Sequence, residues 1–338
     1  MPDRQVEMKI FISIASYRDI LLCTTIQSAY DNAAYKDSLI FAVIDQSYAA
    51  ETLDLSQLAF SKQIKYVRLD PAYSRGVCWA RHLAQTFYND EDYFLQIDSH
   101  TIFDQDWDKI LVDRIEEIRA MHSKPVITGY PTAFQVVDGD ITNLKKLART
   151  GWCDTLIAVG DQSFQNDNFY IRIKGDHKKD VKTVHGFLLA GGFLFSIGQF
   201  VEEVPYDPYM YFHGEEQALA LRAWTCGYNI FHIDTIPLYH HYNTPNLQLY
   251  KRLLPWSDIE TSTKKLNDHW QELTDTAKRR LINLATEQNL GVYSLGKIRS
   301  IKQYAAWSGI DYSNRTLSKN ATTGEHTFEI PYQNQVII

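Results

Sequence analysis

The sequence predicts an α/β fold, a central sheet of consecutive strands joined by crossover helices. Two observations carry this. The first half of the 338-residue chain alternates apolar runs of strand length with stretches that repeat at helical spacing, the pattern of a sheet with crossover helices. Polar residues also close four successive apolar runs, at the strand ends where an open α/β sheet places its ligand crevice. A chain of this length can bury one large core or two small ones.

The elements follow in order. Met8–Ala15 (MKIFISIA) is a buried strand, followed by a helix over Asp19–Asp31. Leu39–Ile44 is a second strand ending at Asp45, and Ile64–Leu69 a third. Past Pro71 and Gly76 a helix carries Val77, Ala80, Leu83, Ala84 and Phe87 at helical spacing. Tyr93–Ile97 is a fourth strand running into Asp98-Ser99-His100. The next helix, Trp107–Ala120, places Trp107, Ile110, Leu111, Ile115 and Ile118 on one face. Pro125–Gly129 is a fifth strand. Residues 133–185 are less regular, Gly186–Ile197 is apolar, Glu215–Cys226 is helical, and Tyr228–His241 reads as one late strand. From Ser257 the pattern is polar and helical, and Ser257-Asp258-Ile259-Glu260 has the form of a capping box. The expected organisation is one α/β domain over 8–250, C-terminal helices over 251–312 packed on it, and a loosely attached polar tail over 313–338.

Hydrophobic residues make up 45% and charged residues 22%, which excludes general disorder. A net charge of −7 gives no general attraction to nucleic acid or anionic membranes, though it leaves room for a local basic groove. The 21 tyrosines suit a stacking surface for sugars or bases, and suit a tyrosine-rich core equally well. The N-terminus lacks the features of a signal peptide, and no apolar stretch is long enough to span a membrane. Cys23, Cys78, Cys153 and Cys226 form no CxxC pair and read as reduced thiols. The sequons at Asn314 and Asn320 read as chance matches. A soluble, cytoplasmic protein is expected.

Asp98 and His100 stand two apart at a strand end, so in extended chain both project from one face and could share a divalent cation. Carboxylate and imidazole together do not choose between manganese, magnesium and zinc. An isolated Asp-x-His is more often a capped turn, and its surroundings argue otherwise here. Ser16-Tyr17-Arg18-Asp19, Asp45, Arg75-Gly76 and Asp98-Ser99-His100 close four strands in succession. They offer Tyr for stacking, Asp for a base N–H and Arg for phosphate, a set suited to a nucleotide diphosphate. Glu215 and Glu216 open a helix, where the dipole already favours negative charge. Gly191-Gly192 is a tight kink that also lets a ligand approach the backbone. Trp79 and Trp224 lie in helical contexts and read as core.

Several segments resemble the retaining polypeptide N-acetylhexosaminyltransferases of the GT-A fold. Gly76-Val77-Cys78-Trp79-Ala80-Arg81 resembles their Gly-x-x-x-Ala-Arg helix, and Asp98-Ser99-His100 their Asp-x-His metal motif. Ala190-Gly191-Gly192-Phe193-Leu194-Phe195-Ser196-Ile197 is similar to the segment that lines the donor sugar. Phe212-His213-Gly214-Glu215-Glu216, with Arg222-Ala223-Trp224-Thr225-Cys226-Gly227, resembles their acidic motif and the helix after it. A closer resemblance is to the cytoplasmic GlcNAc-transferases that modify hydroxyproline on a target protein. It is carried by Ile14-Ala15-Ser16-Tyr17-Arg18-Asp19 at the opening, and by Leu295-Gly296-Lys297-Ile298-Arg299-Ser300, Tyr304 and Gly309-Ile310-Asp311 at the close. It spans residues 9–312. His213 stands in place of a Gly and Glu216 in place of an Asn.

The resemblance implies a GT-A, Rossmann-like mixed sheet flanked by helices, and retaining, metal-dependent transfer of GlcNAc from a UDP-sugar to a hydroxyl acceptor. It implies Mn2+ or Mg2+ held by Asp98, His100 and a late His. Neighbours in a strand face opposite ways, so only one of His240 and His241 would reach the metal; His240 is favoured because His240-His241-Tyr242 resembles the family's His-x-Tyr, with His241 the alternative. Ser16, Tyr17, Arg18, Asp45, Arg75, Arg81, Asp98, Gly191 and Gly192 would hold the nucleotide-sugar. Glu215 and Glu216 would be catalytic, one on the donor sugar and one near the acceptor. The acceptor is expected on a protein or a glycan, less so on a hydroxylated DNA base, with contacts sought in 133–185 around Lys178-Lys179. The rivals are a metal-dependent hydrolase or nucleotidyltransferase at the same site, and a non-catalytic UDP-sugar-binding module.

Overall fold

The computed structural model describes residues 8–165, 169–243, 252–255 and 270–325. The capping box at 257–260 lies outside them. An eight-stranded mixed sheet forms the centre, in the order β11-β13-β6-β12-β4-β1-β2-β3. Its strands are β1 (Ile10–Tyr17), β2 (Leu39–Gln46), β3 (Ile64–Leu69), β4 (Tyr93–Asp98), β6 (Pro125–Thr128), β11 (Thr183–Gly186), β12 (Phe193–Ile197) and β13 (Asn229–Ile233). β4, β1, β2 and β3 run parallel. β12 pairs antiparallel with both β4 and β6, so two parallel blocks meet across a reversed strand.

Strand β1 is buried on both faces, and its alternating side chains feed different cores. Phe11 joins the cluster beneath helices α2 (Val77–Gln85) and α5 (Glu215–Thr225), while Ile10, Ile12 and Ile14 join that beneath α1 (Leu22–Asp31) and α3 (Trp107–Arg119). Gly76 precedes α2 at φ +92, a conformation that disfavours side chains, and a Cβ there would collide with the Tyr211 carbonyl. Helix α1 starts three residues later than expected. The Asp19 side chain accepts from the Leu21 amide at 3.0 Å and holds the chain in a turn first. Ile110 is 38% exposed and off the buried face of α3. Asp108 is buried instead, accepting from the amides of Ala34 and Tyr35 at 2.8 and 2.7 Å.

The stretch read as one late strand is two. β13 ends at Ile233, the chain turns through Pro237, and β14 (Leu238–His240) enters a different sheet. Pro cannot donate to a ladder, which favours the break. That second sheet has the order β5-β14-β7-β8, with β5 (Thr101–Phe103), β7 (Thr132–Val136) and β8 (Leu144–Lys146). The irregular region also contains the hairpin of β9 (Cys153–Ala158) and β10 (Ile173–Lys178). Near the C-terminus, helices Trp270–Ala285 and Ile301–Ser308 pack on α5 and β11 through Leu281, Tyr304 and Trp307. The tail is not loose as far as Glu325. Residues 316–323 form a short strand and helix, Ala321 is buried, and Lys178 Nζ donates to the Thr323 carbonyl at 2.7 Å.

Candidate active site

Asp98 ends β4 at the centre of the main sheet, and His100 opens the short step into β5. Antiparallel pairing of β14 with β5 sets His240 opposite Thr101, which returns a late residue to the β4 end. Asp98, His100 and His240 offer one ligand atom each, all within 4.8 Å of one another, the one such cluster found among the described residues. His240 Nε2 lies 3.1 Å and His100 Nε2 3.6 Å from Asp98 Oδ2. His241 points away and packs its ring on Phe134, centroids 5.6 Å apart. The geometry thus separates the two histidines that the sequence leaves open. Burial pushes the His240 imidazole down to about 4, so it is neutral at pH 7. Burial alone would raise Asp98, but the His100 and His240 side chains beside it and the Arg81 guanidinium hold its carboxyl well below the usual range.

Arg81, buried on α2, joins this centre to a second carboxylate. Its Nη2 donates to Asp98 Oδ1 at 2.7 Å and its Nη1 to Glu215 Oε1. Glu215 also accepts from Tyr206 OH at 2.9 Å and from the Cys78 thiol at 3.2 Å. Arg81, expected near the phosphates, is therefore engaged between two carboxylates, and Glu215 is enclosed. Glu216 is differently placed. Its Oε1 accepts from the Gly191 amide at 2.8 Å, and burial raises its pKa to about 7. The two glycines fit this crowding. A Cβ on Gly191 would lie 2.7 Å from Glu215 Oε1, and one on Gly192 2.9 Å from Asp98 Oδ2.

Two cavities meet at Asp98, Val77 and Phe212. The smaller, about 100 Å³, is lined by Ser16, Tyr17, Asp19, His100, Tyr211 and Arg252–Pro255. The larger, about 480 Å³, is lined by Tyr130, Tyr170, Phe212 and His213 together with Gly191, Gly192, Glu215 and Glu216. Both lie at the carboxyl end of the parallel strands, as the strand-end pattern predicts. The Ser16 hydroxyl is buried with no hydrogen-bond partner. Arg18, Asp45 and Arg75 line neither cavity. Arg18 is paired with Glu51 at 2.6 Å and stacked over Tyr48, while Asp45 accepts from Ser47 and Tyr66 at 2.8 and 2.7 Å. Lys178 and Lys179 also lie outside both cavities; Lys179 sits over Trp152, and the contribution of 133–185 comes instead from Gln162, Tyr170, Ile171, Arg172 and Ile173.

Sequence reasoning missed Tyr206, Gln96 and Arg252. Gln96 Nε2 donates to the Gly191 carbonyl and to Tyr206 OH, both at 2.7 Å. A polar residue facing the core one position before the last residue of an apolar strand was the available signal. Trp224 is buried, stacked on Trp307, as expected of core.

The sequence model of the family described as Glycosyltransferase (GlcNAc) matches residues 47–314. No curated protein matches the sequence. Among solved structures, GalNAc-T7 with UDP, GalNAc and Mn2+ is similar at TM-score 0.55 and 15% identity, over 88% of this chain and 54% of that one. The chain thus spans about half the length of that neighbour. TarS 1-349 of S. aureus in complex with UDP-GlcNAc aligns at TM-score 0.44 and 13% identity, over 84% of this chain and 77% of that one, too loosely to bear on the fold. No helix among the described residues is long and apolar enough to cross a membrane. The fold is GT-A, and the chain belongs to the Glycosyltransferase (GlcNAc) family.

Proposed function

We propose, on the premise of that family membership, that the protein is a retaining, metal-dependent glycosyltransferase moving GlcNAc from UDP-GlcNAc to a hydroxyl acceptor. The observation that carries this reading is the convergence of Asp98, His100 and His240 at the junction of the two cavities. One carboxylate and two imidazoles suit a borderline divalent cation such as Mn2+, with Mg2+ as the harder alternative. When bound, the cation would supply positive charge to the diphosphate as the glycosidic bond breaks. Arg81 keeps Asp98 ionised and fixed in direction. Ser16 and Tyr17 line the cavity suited to the nucleotide, and Gly191-Gly192 leave room for a sugar ring against the backbone.

The acidic pair divides its work. Glu215 is held by Arg81, Tyr206 and Cys78 and acts as a positioning residue. Glu216 faces the larger cavity and is suited to receive hydrogen bonds from the donor sugar or the acceptor. The enclosure of Glu215 supports front-face transfer without an enzyme nucleophile. The acceptor hydroxyl belongs to a protein or glycan, in keeping with the resemblance to hydroxyproline GlcNAc-transferases. The four free cysteines suit a cytoplasmic setting. The test is incubation with a panel of UDP-sugars, with Mn2+ or with chelator, and analysis of products. UDP release that depends on metal and favours UDP-GlcNAc is expected. Release of sugar phosphate would point to a hydrolase or nucleotidyltransferase, and metal-dependent UDP binding with no turnover to a binding module.

A further inference from the structure

We propose that Asp19 is a positioning residue for the cation centre, holding His100 as the Nδ1–H tautomer so that its Nε2 lone pair faces Asp98 and His240. The proposal rests on the metal-dependent reading above. Asp19 lies in the turn after β1, eighty residues from its partners in sequence. One of its oxygens, Oδ2, accepts from His100 Nδ1 at 2.6 Å and from Ser99 Oγ at 2.7 Å. The other, Oδ1, accepts from the Leu21 amide at 3.0 Å. Its side chain is 4% exposed and that of His100 7%, so neither has solvent to replace this bond.

A neutral imidazole carries one N–H and one lone pair, and the partner of one nitrogen decides the role of the other. A carboxylate can only accept, which requires the proton on Nδ1. Arg252 Nη1 approaches both ring nitrogens, Nε2 and, at 3.3 Å, Nδ1, so the choice between them rests with Asp19. The Asp19 bond therefore selects the form that can ligate a metal through Nε2. His240 contrasts with this. Its Nδ1 is buried without a hydrogen-bond partner while its Nε2 faces Asp98 Oδ2 at 3.1 Å, so of the two histidines only His100 has an orienting side chain on Nδ1. Orienting partners of this kind typically change metal affinity 10- to 100-fold.

The experiment has two readouts besides activity. Long-range 1H–15N correlation spectra of the metal-free protein, with the His100 signals assigned through His100→Gln, report the tautomer. Calorimetric titration with Mn2+ reports affinity. In the unaltered protein His100 should carry its proton on Nδ1. In Asp19→Ala the proton should move toward Nε2, and Mn2+ binding should weaken about 10- to 100-fold. Ser99→Ala, which removes only the neighbouring hydroxyl, should leave both readouts unchanged.

If Asp19 merely caps the turn into α1, Asp19→Ala will lower the melting temperature yet keep the tautomer and the Mn2+ affinity, and the proposal falls. Should that variant not fold, the unaltered protein still decides, because His100 found as Nε2–H overturns the proposal without any substitution. A protein that shows Nδ1–H yet binds neither Mn2+ nor Mg2+ counts against the metal-dependent reading and supports the tautomer assignment.

Discussion

Gly192→Ala is the sharpest single perturbation of this centre. The new Cβ would lie 2.9 Å from Asp98 Oδ2 and 3.7 Å from His240 Nε2. No positive φ is involved at Gly192, so alanine meets no backbone strain and the effect is steric. Something must move, and Asp98 is poorly able to swing aside because its other oxygen is held by Arg81 at 2.7 Å. Overpacking of one methyl group typically costs about 1–3 kcal/mol. If the crowding falls on the cation-bound state, that is about a 5- to 150-fold loss of Mn2+ affinity. A displaced ligand oxygen should lower kcat/KM as well, since a misplacement near 1 Å can cost about 100-fold. Mn2+ titration and initial rates of UDP release would be compared with the unaltered protein. Metal affinity and rate both within twofold of the unaltered protein would refute the claim that Gly192 is small because Asp98 needs its space.

Further outcomes follow from the same geometry. His240→Ala should abolish or strongly weaken Mn2+ binding in calorimetry, whereas His241→Ala, on the opposite face of the strand end, should leave metal affinity near that of the unaltered protein and lower stability through lost packing on Phe134. Arg81→Ala strands two carboxylates that it now pairs and should destabilise the fold by about 3–5 kcal/mol in urea unfolding, with Arg81→Ala/Glu215→Gln less destabilised than the single variant. Glu216 has a pKa raised from 4.5 to about 7, so the folded state binds the proton more tightly than the unfolded state. Its contribution to stability is fully present below about pH 4.5 and is lost as pH rises through about 7. Unfolding curves across that window should show a steeper decline for the unaltered protein than for Glu216→Gln, and equal slopes would remove Glu216 as the cause.

Local pattern made the scaffold legible. β3 begins and ends at the expected Ile64 and Leu69, and the strand-end positions of Asp98 and Ser16 follow from the alternation of strand and helix. The rest depended on long-range pairing. Choosing His240 over His241 needs the antiparallel register of β14 on β5, and the break at Pro237 that permits it is a weak signal within an apolar stretch. The Arg81–Glu215 pair joins residues 134 apart, and no spacing rule links them. Arg18 illustrates the reverse error. A basic residue at a strand end is equally good at satisfying a neighbouring carboxylate, and Glu51 takes Arg18 away from the cleft.

On the metal-dependent reading proposed above, the charges around the two cavities imply that the cation would serve binding as well as chemistry. Their linings contain the carboxylates of Asp19, Asp98, Glu215 and Glu216 against the guanidiniums of Arg81, Arg172 and Arg252. Arg81 is already engaged by two of those carboxylates, so little fixed positive charge faces an incoming diphosphate. Opposed like charges in a partly desolvated cleft interact strongly, and a divalent ion at Asp98, His100 and His240 would reverse the local sign. Metal should therefore bind before UDP. Calorimetry should show UDP binding only weakly in the presence of chelator and at least about tenfold more tightly with Mn2+, the equivalent of about 1.4 kcal/mol. Asp98→Asn tests the same point from the other side. It removes a repelling charge together with a ligand, so metal-free UDP binding should strengthen while the gain from Mn2+ shrinks. UDP affinity indifferent to metal in the unaltered protein would mean that the guanidiniums neutralise the diphosphate, and the electrostatic argument would fail.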